Sequence, residues 1–223
     1  MAVISREHRF LFIQNPRTGS TAIGEGLLVP RFGAEIVGVP ASHETAGDKH
    51  ASADDLVQHG LLTADEVDRL YVFGAIRNPY DSLVSLYDKM HGEYAPLLDD
   101  PTSWVHKQPA YVASMRVAVD SGFSEWVIFH LTRRPVWQLP RATLSRGRSI
   151  SPRYLGLDRL LRFESLQGGV DAAMDDLGLP RQEVPRVNVT RRRPGYRIRY
   201  DATARWVARR AYRRYEQVFG YRF

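Results

Sequence analysis

The chain has 223 residues, 43% hydrophobic and 25% charged, an ordinary globular composition with enough apolar mass for a sizeable core. It contains no cysteine, which excludes disulfides, thiolate metal sites and thiol nucleophiles, and no apolar run approaches the roughly 20 residues that span a bilayer. The formal charge is +6, with 31 basic residues of which only Lys49, Lys89 and Lys107 are lysines. That field favours polyanionic ligands such as nucleotides, nucleic acid or acidic sugars, although a composition bias toward arginine gives the same balance.

Met1 to His8 runs straight into the first strand and leaves no room for a signal peptide, so a cytoplasmic protein is expected. Phe10 to Ile13 reads as a buried strand, closed by Asn15-Pro16, which no central strand tolerates. Arg17-Thr18-Gly19-Ser20-Thr21 follows, and Ala22 to Leu28 reads as a helix. Val29 to His50, rich in Gly, Pro and Ala, reads as a loop with short extended pieces. Ser52 caps a short helix toward Gln58, and Thr63-Ala64-Asp65-Glu66 is a capping-box pattern opening another to about Leu70.

Tyr71 to Ile76 is apolar throughout, as a central parallel strand requires. It ends at Arg77-Asn78-Pro79, and a helix runs from Asp81 or Ser82 to about Met90. Gly92 to Gln108 is loop-like, and helices are expected over Ala110–Asp120 and Ser124–Leu131. Pro135 to Ser151 is irregular and basic. Leu157 to Phe163 reads as a third strand, and a helix from Leu166 to Leu177 stops at Gly178. Pro185 to Tyr200 is an arginine-rich loop or edge, and Asp201 caps a last helix reaching Val218. The fold class expected is α/β: one domain over 1–223, with a central, mostly parallel sheet flanked by helices.

Two loops hold the chemistry. Strand, tight loop and helix N-terminus turn backbone N–H groups and a helix dipole toward an anion. In the first loop Gly19 permits close approach, Ser20 and Thr21 offer hydroxyls, and Arg17 offers a cationic fork. The phosphate-loop spacing G-x-x-x-x-G-K-[ST] is missing, and a turn that merely caps a helix uses similar residues. In the second loop, Arg77 ends a buried strand where open α/β sheets bind ligands, and Ser85 lies one to two turns into the next helix. A magnesium-dependent phosphoryl-transfer site would bring an acid to that strand end; this one brings a cation.

Pro16 to Thr21 resembles the 5′-phosphosulfate loop of sulfotransferases that use 3′-phosphoadenosine 5′-phosphosulfate, and Arg77-Asn78-Pro79-Tyr80-Asp81-Ser82-Leu83-Val84-Ser85-Leu86-Tyr87 is similar to their 3′-phosphate loop. Weaker similarity to the carbohydrate-type branch runs through Lys49 to Ala53, Arg162 to Leu166, and Tyr200 to Tyr221. The resemblance implies a P-loop-like nucleotide-binding fold and sulfuryl transfer without a metal. It puts the 5′-phosphosulfate on Arg17, Thr18, Gly19, Ser20 and Thr21 and the 3′-phosphate on Arg77 and Ser85, with Arg192 of a C-terminal basic segment closing over the nucleotide. Arg17 stands where many members have lysine, stabilising the leaving oxygen, and Ala22 stands where several have tryptophan.

A general base must take the proton of the acceptor, and His50 is the first choice, with His43 and Glu44 as rivals in the same loop. No His, Asp or Glu spacing resembles a metal site. The acceptor expected is a carbohydrate or other small molecule, read by Val29–Lys49 and Gly92–Ser151. The competing readings are a nucleotide kinase and a non-enzymatic binder of nucleic acid, the latter motivated by 28 arginines and by aromatics interleaved near the C-terminus. On the last helix Arg205, Arg209 and Arg213 form a stripe while Val207, Ala211, Tyr215 and Val218 lie largely on another face. That reads as a core-packed helix with a wet basic face, although like charges at that spacing also suit an anionic partner.

Overall fold

The sheet is built on alternation. A computed structural model describes residues 1–39, 50–134, 147–187 and 195–223. In β2 (Phe10–Ile13) the side chains of Phe10 and Phe12 join one core and those of Leu11 and Ile13 another, as the two-residue period of a strand dictates. β2 pairs in parallel with β4 (Tyr71–Ile76), Phe12 opposite Phe73, and β4 pairs in parallel with β5 (Arg159–Arg162). The α/β expectation and its three strands therefore hold, with a parallel centre.

A strand over 2–5 was not foreseen, and another over 35–37 falls in the stretch expected to hold short extended pieces. β1 (Ala2–Ser5) pairs antiparallel with β2, and β3 (Glu35–Val37) antiparallel with β1, giving the order β3-β1-β2-β4-β5. The turn into β2 hides the hairpin from a sequence reader, because its left-handed residue is Arg9 (φ 53) and not the usual Gly or Asn. β3 is a three-residue edge with Glu35 and Ile36 exposed, too short for a periodic signal.

The described residues fall into two compact units. The first, Met1–Arg77 with Ser151–Thr190, holds the whole sheet. Its first core packs β1, β2, β4 and β5 against a helical run over 20–32 and against α8 (Leu166–Leu177), through Ile23, Leu27, Val170 and Met174. That run comprises α1 (Ser20–Ile23), a π turn (Gly24–Leu28) and α2 (Val29–Phe32). It outlasts the helix expected to end at Leu28, since Leu28 and Phe32 reach the core. The π turn starts where Gly24 meets buried Gln14: a Cβ there would lie 2.3 Å from Gln14 Nε2. Across the sheet, α3 (Ala53–Gln58) and α4 (Ala64–Val67) close the second core around Leu56 and Leu62. Both open with complete capping boxes, Ser52 with Asp55 and Thr63 with Glu66.

The second unit, Asn78–Ile150 with Arg191–Phe223, has only helices among its described residues. α5 (Pro79–Asp88) starts two residues before Asp81, because the Asn78 side chain accepts from the Tyr80 N–H at 3.0 Å and Pro79 suits a first turn. α6 (Pro109–Asp120), α7 (Phe123–Thr132) and α9 (Ala202–Ala211) gather around Trp126, Tyr80 and Met115, all fully buried. The Tyr80 hydroxyl donates to Glu216 at 2.7 Å, and burial with that carboxylate raises its pKa well above the usual range. The expected last helix breaks at Tyr212, and α10 (Arg213–Phe219) follows it. Val218, expected on the packed face, is 59% exposed. No helix among the described residues is long and apolar enough to cross a membrane.

One network in this unit has a pH signature. His130 stacks on Trp126, and its Nδ1 lies 2.8 Å from the Ser114 hydroxyl, which accepts from the Trp126 indole at 3.0 Å. Burial, then the nearby Arg133 and Arg148, pushes the His130 pKa down to about 3. The folded chain thus takes up the proton less readily than the unfolded one. Its contribution to stability is present above about pH 6.5 and is lost as pH falls toward 3, at up to about 1.4 kcal/mol per pH unit. Urea midpoints between pH 7 and 4 should fall more steeply for the wild type than for His130→Gln.

Candidate anion site

β2, β4 and β5 end on the same edge of the sheet, where the loops that follow them meet. The first turns sharply through Arg17 (φ 65) and Gly19 (φ 73), both left-handed. Such a conformation strains a residue with a Cβ by about 1–3 kcal/mol, so Arg17 is held there by its surroundings. Asn15 is that scaffold. Fully buried, it donates through Nδ2 to the Ala75 carbonyl at 3.0 Å, while its own carbonyl accepts from Thr18 Oγ1 at 2.9 Å and Ser20 Oγ at 2.8 Å.

The hydroxyls of Thr18 and Ser20 therefore brace the loop, and Thr18 and Ser20 are both buried. Backbone groups at the helix start are then the loop's candidate donors to an anion. The helical run makes its first bond from the Ile23 N–H to the Gly19 carbonyl, at 3.2 Å, so the N–H groups of Ser20, Thr21 and Ala22 precede its ladder. With half-buried Thr21 and the dipole of the run behind them, they form a set of donors suited to a sulfate or phosphate oxygen.

Arg77 belongs to this loop in space as well as in chemistry. Its guanidinium donates to the Arg17 carbonyl at 3.1 Å and stacks on the Phe163 ring, 4.2 Å from the centroid. Gly19 passes the same wall: a Cβ there would lie 3.0 Å from Leu166 and 3.4 Å from Phe163. Gly19→Ala thus adds a left-handed alanine to a crowded contact, and a loss of about 1–3 kcal/mol in urea unfolding is expected.

His50 reaches the loop from 36 residues away, with Nδ1 2.9 Å from the Gln14 carbonyl. A carbonyl only accepts, so Nδ1 is the donor, and in the neutral ring the lone pair lies on Nε2. That is the tautomer a base acting through Nε2 requires.

The structure thus brings together Arg17, Thr18, Gly19, Ser20, Thr21, Arg77 and His50, all in the first unit. Ser85 lies in the second unit, buried on α5 two turns after its start. Arg192, His43 and Glu44 lie outside the described residues. Among the described residues no group of three or more His, Asp or Glu side chains is placed to hold a metal ion.

Three contributors escaped the sequence reading. Asn15 scaffolds the loop, Gln14 anchors His50 through its carbonyl, and Phe163 supports Arg77. Two polar residues directly after an apolar strand were the available sign for the first pair; Phe163 lay within the Arg162–Leu166 similarity, which gave it no role. Gln14 is also fully buried, and neither atom of its amide meets a partner among the described residues, an arrangement that costs stability. Comparison with protein-family models, with curated proteins and with solved structures yields no match to this chain.

Proposed function

We propose that the chain is a sulfotransferase, moving a sulfuryl group from 3′-phosphoadenosine 5′-phosphosulfate to a hydroxyl or amine of a carbohydrate or other small acceptor. The observation that carries this reading is the 3.1 Å bond from Arg77 to the Arg17 carbonyl, which joins two loops that resemble, in chain order, the two phosphate loops of one enzyme family. The donor set fits the ligand: N–H groups at a helix start, flanked by guanidinium groups, and no carboxylate in the Asn15–Thr21 loop itself.

In this reading the nucleotide supplies an activated sulfuryl group. The N–H groups of Ser20, Thr21 and Ala22 and the Thr21 hydroxyl hold the 5′ end. Arg17 steadies the charge that grows on the leaving oxygen, with a planar fork in place of an ammonium. Arg77 takes the 3′-phosphate; Ser85 and Arg192 are assigned to it from their places in the sequence. His50 Nε2 receives the proton from the acceptor as its oxygen or nitrogen bonds to sulfur. Positioning and fixed cations supply the rest.

Titration with 3′-phosphoadenosine 5′-phosphate tests the reading. Measurable heat and a raised melting temperature are expected, equivalent to about 2.7 kcal/mol at a hundredfold excess over Kd. Neither heat nor a shift at millimolar ligand would remove the proposal, and magnesium-dependent binding of ATP instead would transfer the loop to a phosphotransferase.

A further inference from the structure

The net charge is concentrated at one end of the chain. Residues 195–223 contain eight arginines and two acids and so account for the whole +6, while the first 194 residues balance at 23 basic and 23 acidic. Structure arranges this excess. On α9 the buried arc of Ala204, Val207, Ala208 and Ala211 turns Arg205, Trp206, Arg209 and Arg210 outward, with Trp206 52% exposed. α10 repeats the pattern, turning Arg213, Arg214 and Val218 outward. Ile198, in the turn before α9, is 71% exposed.

We propose that α9 and α10 dock the protein on an anionic phospholipid surface. This goes beyond the nucleotide site and uses none of its residues. Arginines suit any polyanion, and an exposed tryptophan stacks on bases and sugars as readily as it enters a lipid interface. The aliphatic side chains decide between them. Exposed Ile198 and Val218 gain nothing against phosphodiesters or sulfated sugars, whereas the boundary between headgroups and acyl chains buries them from water. Tryptophan is itself enriched at that boundary. Arg210 lies 6.0 Å from the Trp206 ring centroid, so cation and indole present together to one headgroup layer.

Sedimentation with vesicles tests this, using phosphatidylcholine alone and phosphatidylcholine with roughly one-third phosphatidylserine. The full chain is expected to partition onto the anionic vesicles, to ignore the neutral ones, and to dissociate as salt rises. Neutralising Arg205, Arg210 and Arg214 to glutamine should weaken partition by about fivefold each. The double variant Trp206→Ser, Val218→Ser, at exposed positions that leave the core intact, should weaken it by about tenfold or more at unchanged charge. Absence of partition at low salt would overturn the proposal. So would vesicle binding lost in the arginine variants but unaltered in the double variant, with tighter capture by heparin or an oligonucleotide, since that assigns the surface to a soluble polyanion. The nucleotide-induced melting shift is read in the same samples, so failure here is distinct from failure of the sulfotransferase reading.

Discussion

Arg77→Ala is expected to raise the dissociation constant for 3′-phosphoadenosine 5′-phosphate by about 10- to 100-fold, the range of a lost charge-assisted hydrogen bond. Two effects combine. The variant removes a cation from the proposed 3′-phosphate site, and it releases the Arg17 carbonyl, which the guanidinium holds at 3.1 Å. Lysine is a poor substitute, because the observed geometry needs a planar group that lies on Phe163 and still donates sideways. Arg209→Ala, on α9, is the matched control, losing one arginine elsewhere. Calorimetric titration of both variants decides: equal weakening assigns the effect to net charge and takes Arg77 out of the site.

A larger effect is expected on turnover. His50→Ala should lower kcat by about 10²–10⁴-fold, the usual range for a positioned general base, with nucleotide affinity within a factor of about two. The separation follows from geometry. His50 meets the Gln14 carbonyl at 2.9 Å, one residue before the Asn15–Thr21 loop that the proposal gives to the nucleotide. His50→Gln keeps a donor for that carbonyl but supplies no basic nitrogen, so it should match alanine in rate and the wild type in loop stability. Full activity in either variant would hand the base to His43 or Glu44.

Much of this arrangement was legible because it is local. Ser52 and Thr63 with their partners three residues on announced α3 and α4, and the unbroken apolar run of Tyr71–Ile76 announced a central strand. Gly178, left-handed at the end of α8, stopped that helix where expected. What stayed hidden depends on residues distant in sequence. The π turn at Gly24 answers to Gln14, the tautomer of His50 to a carbonyl on another segment, and the pose of Arg77 to Phe163. The break at Tyr212 is another case: that side chain is bound into the second unit, and no glycine or proline marks the spot.

The site resemblance was legible for the same reason. Arg17 to Thr21 and Arg77 to Ser85 are contiguous stretches, each read whole. That Thr18 and Ser20 spend their hydroxyls on Asn15 was not legible, because spacing reveals neither a left-handed backbone at Arg17 nor which way a side chain turns.

The order in which the strands are synthesised has a consequence for the nascent chain. β4 leaves the ribosome before any of residues 78–150, yet its second neighbour, β5, comes after all of them. At about 5–20 residues per second, the far edge of an apolar strand waits roughly 4 to 17 s for its partner. Unpaired N–H and C=O groups on such an edge are a template for other chains. During that interval the second unit's first helices emerge, and their folding competes with aggregation at β4. Yield in recombinant expression should therefore respond to translation speed across 78–150 more than to codon changes after β5.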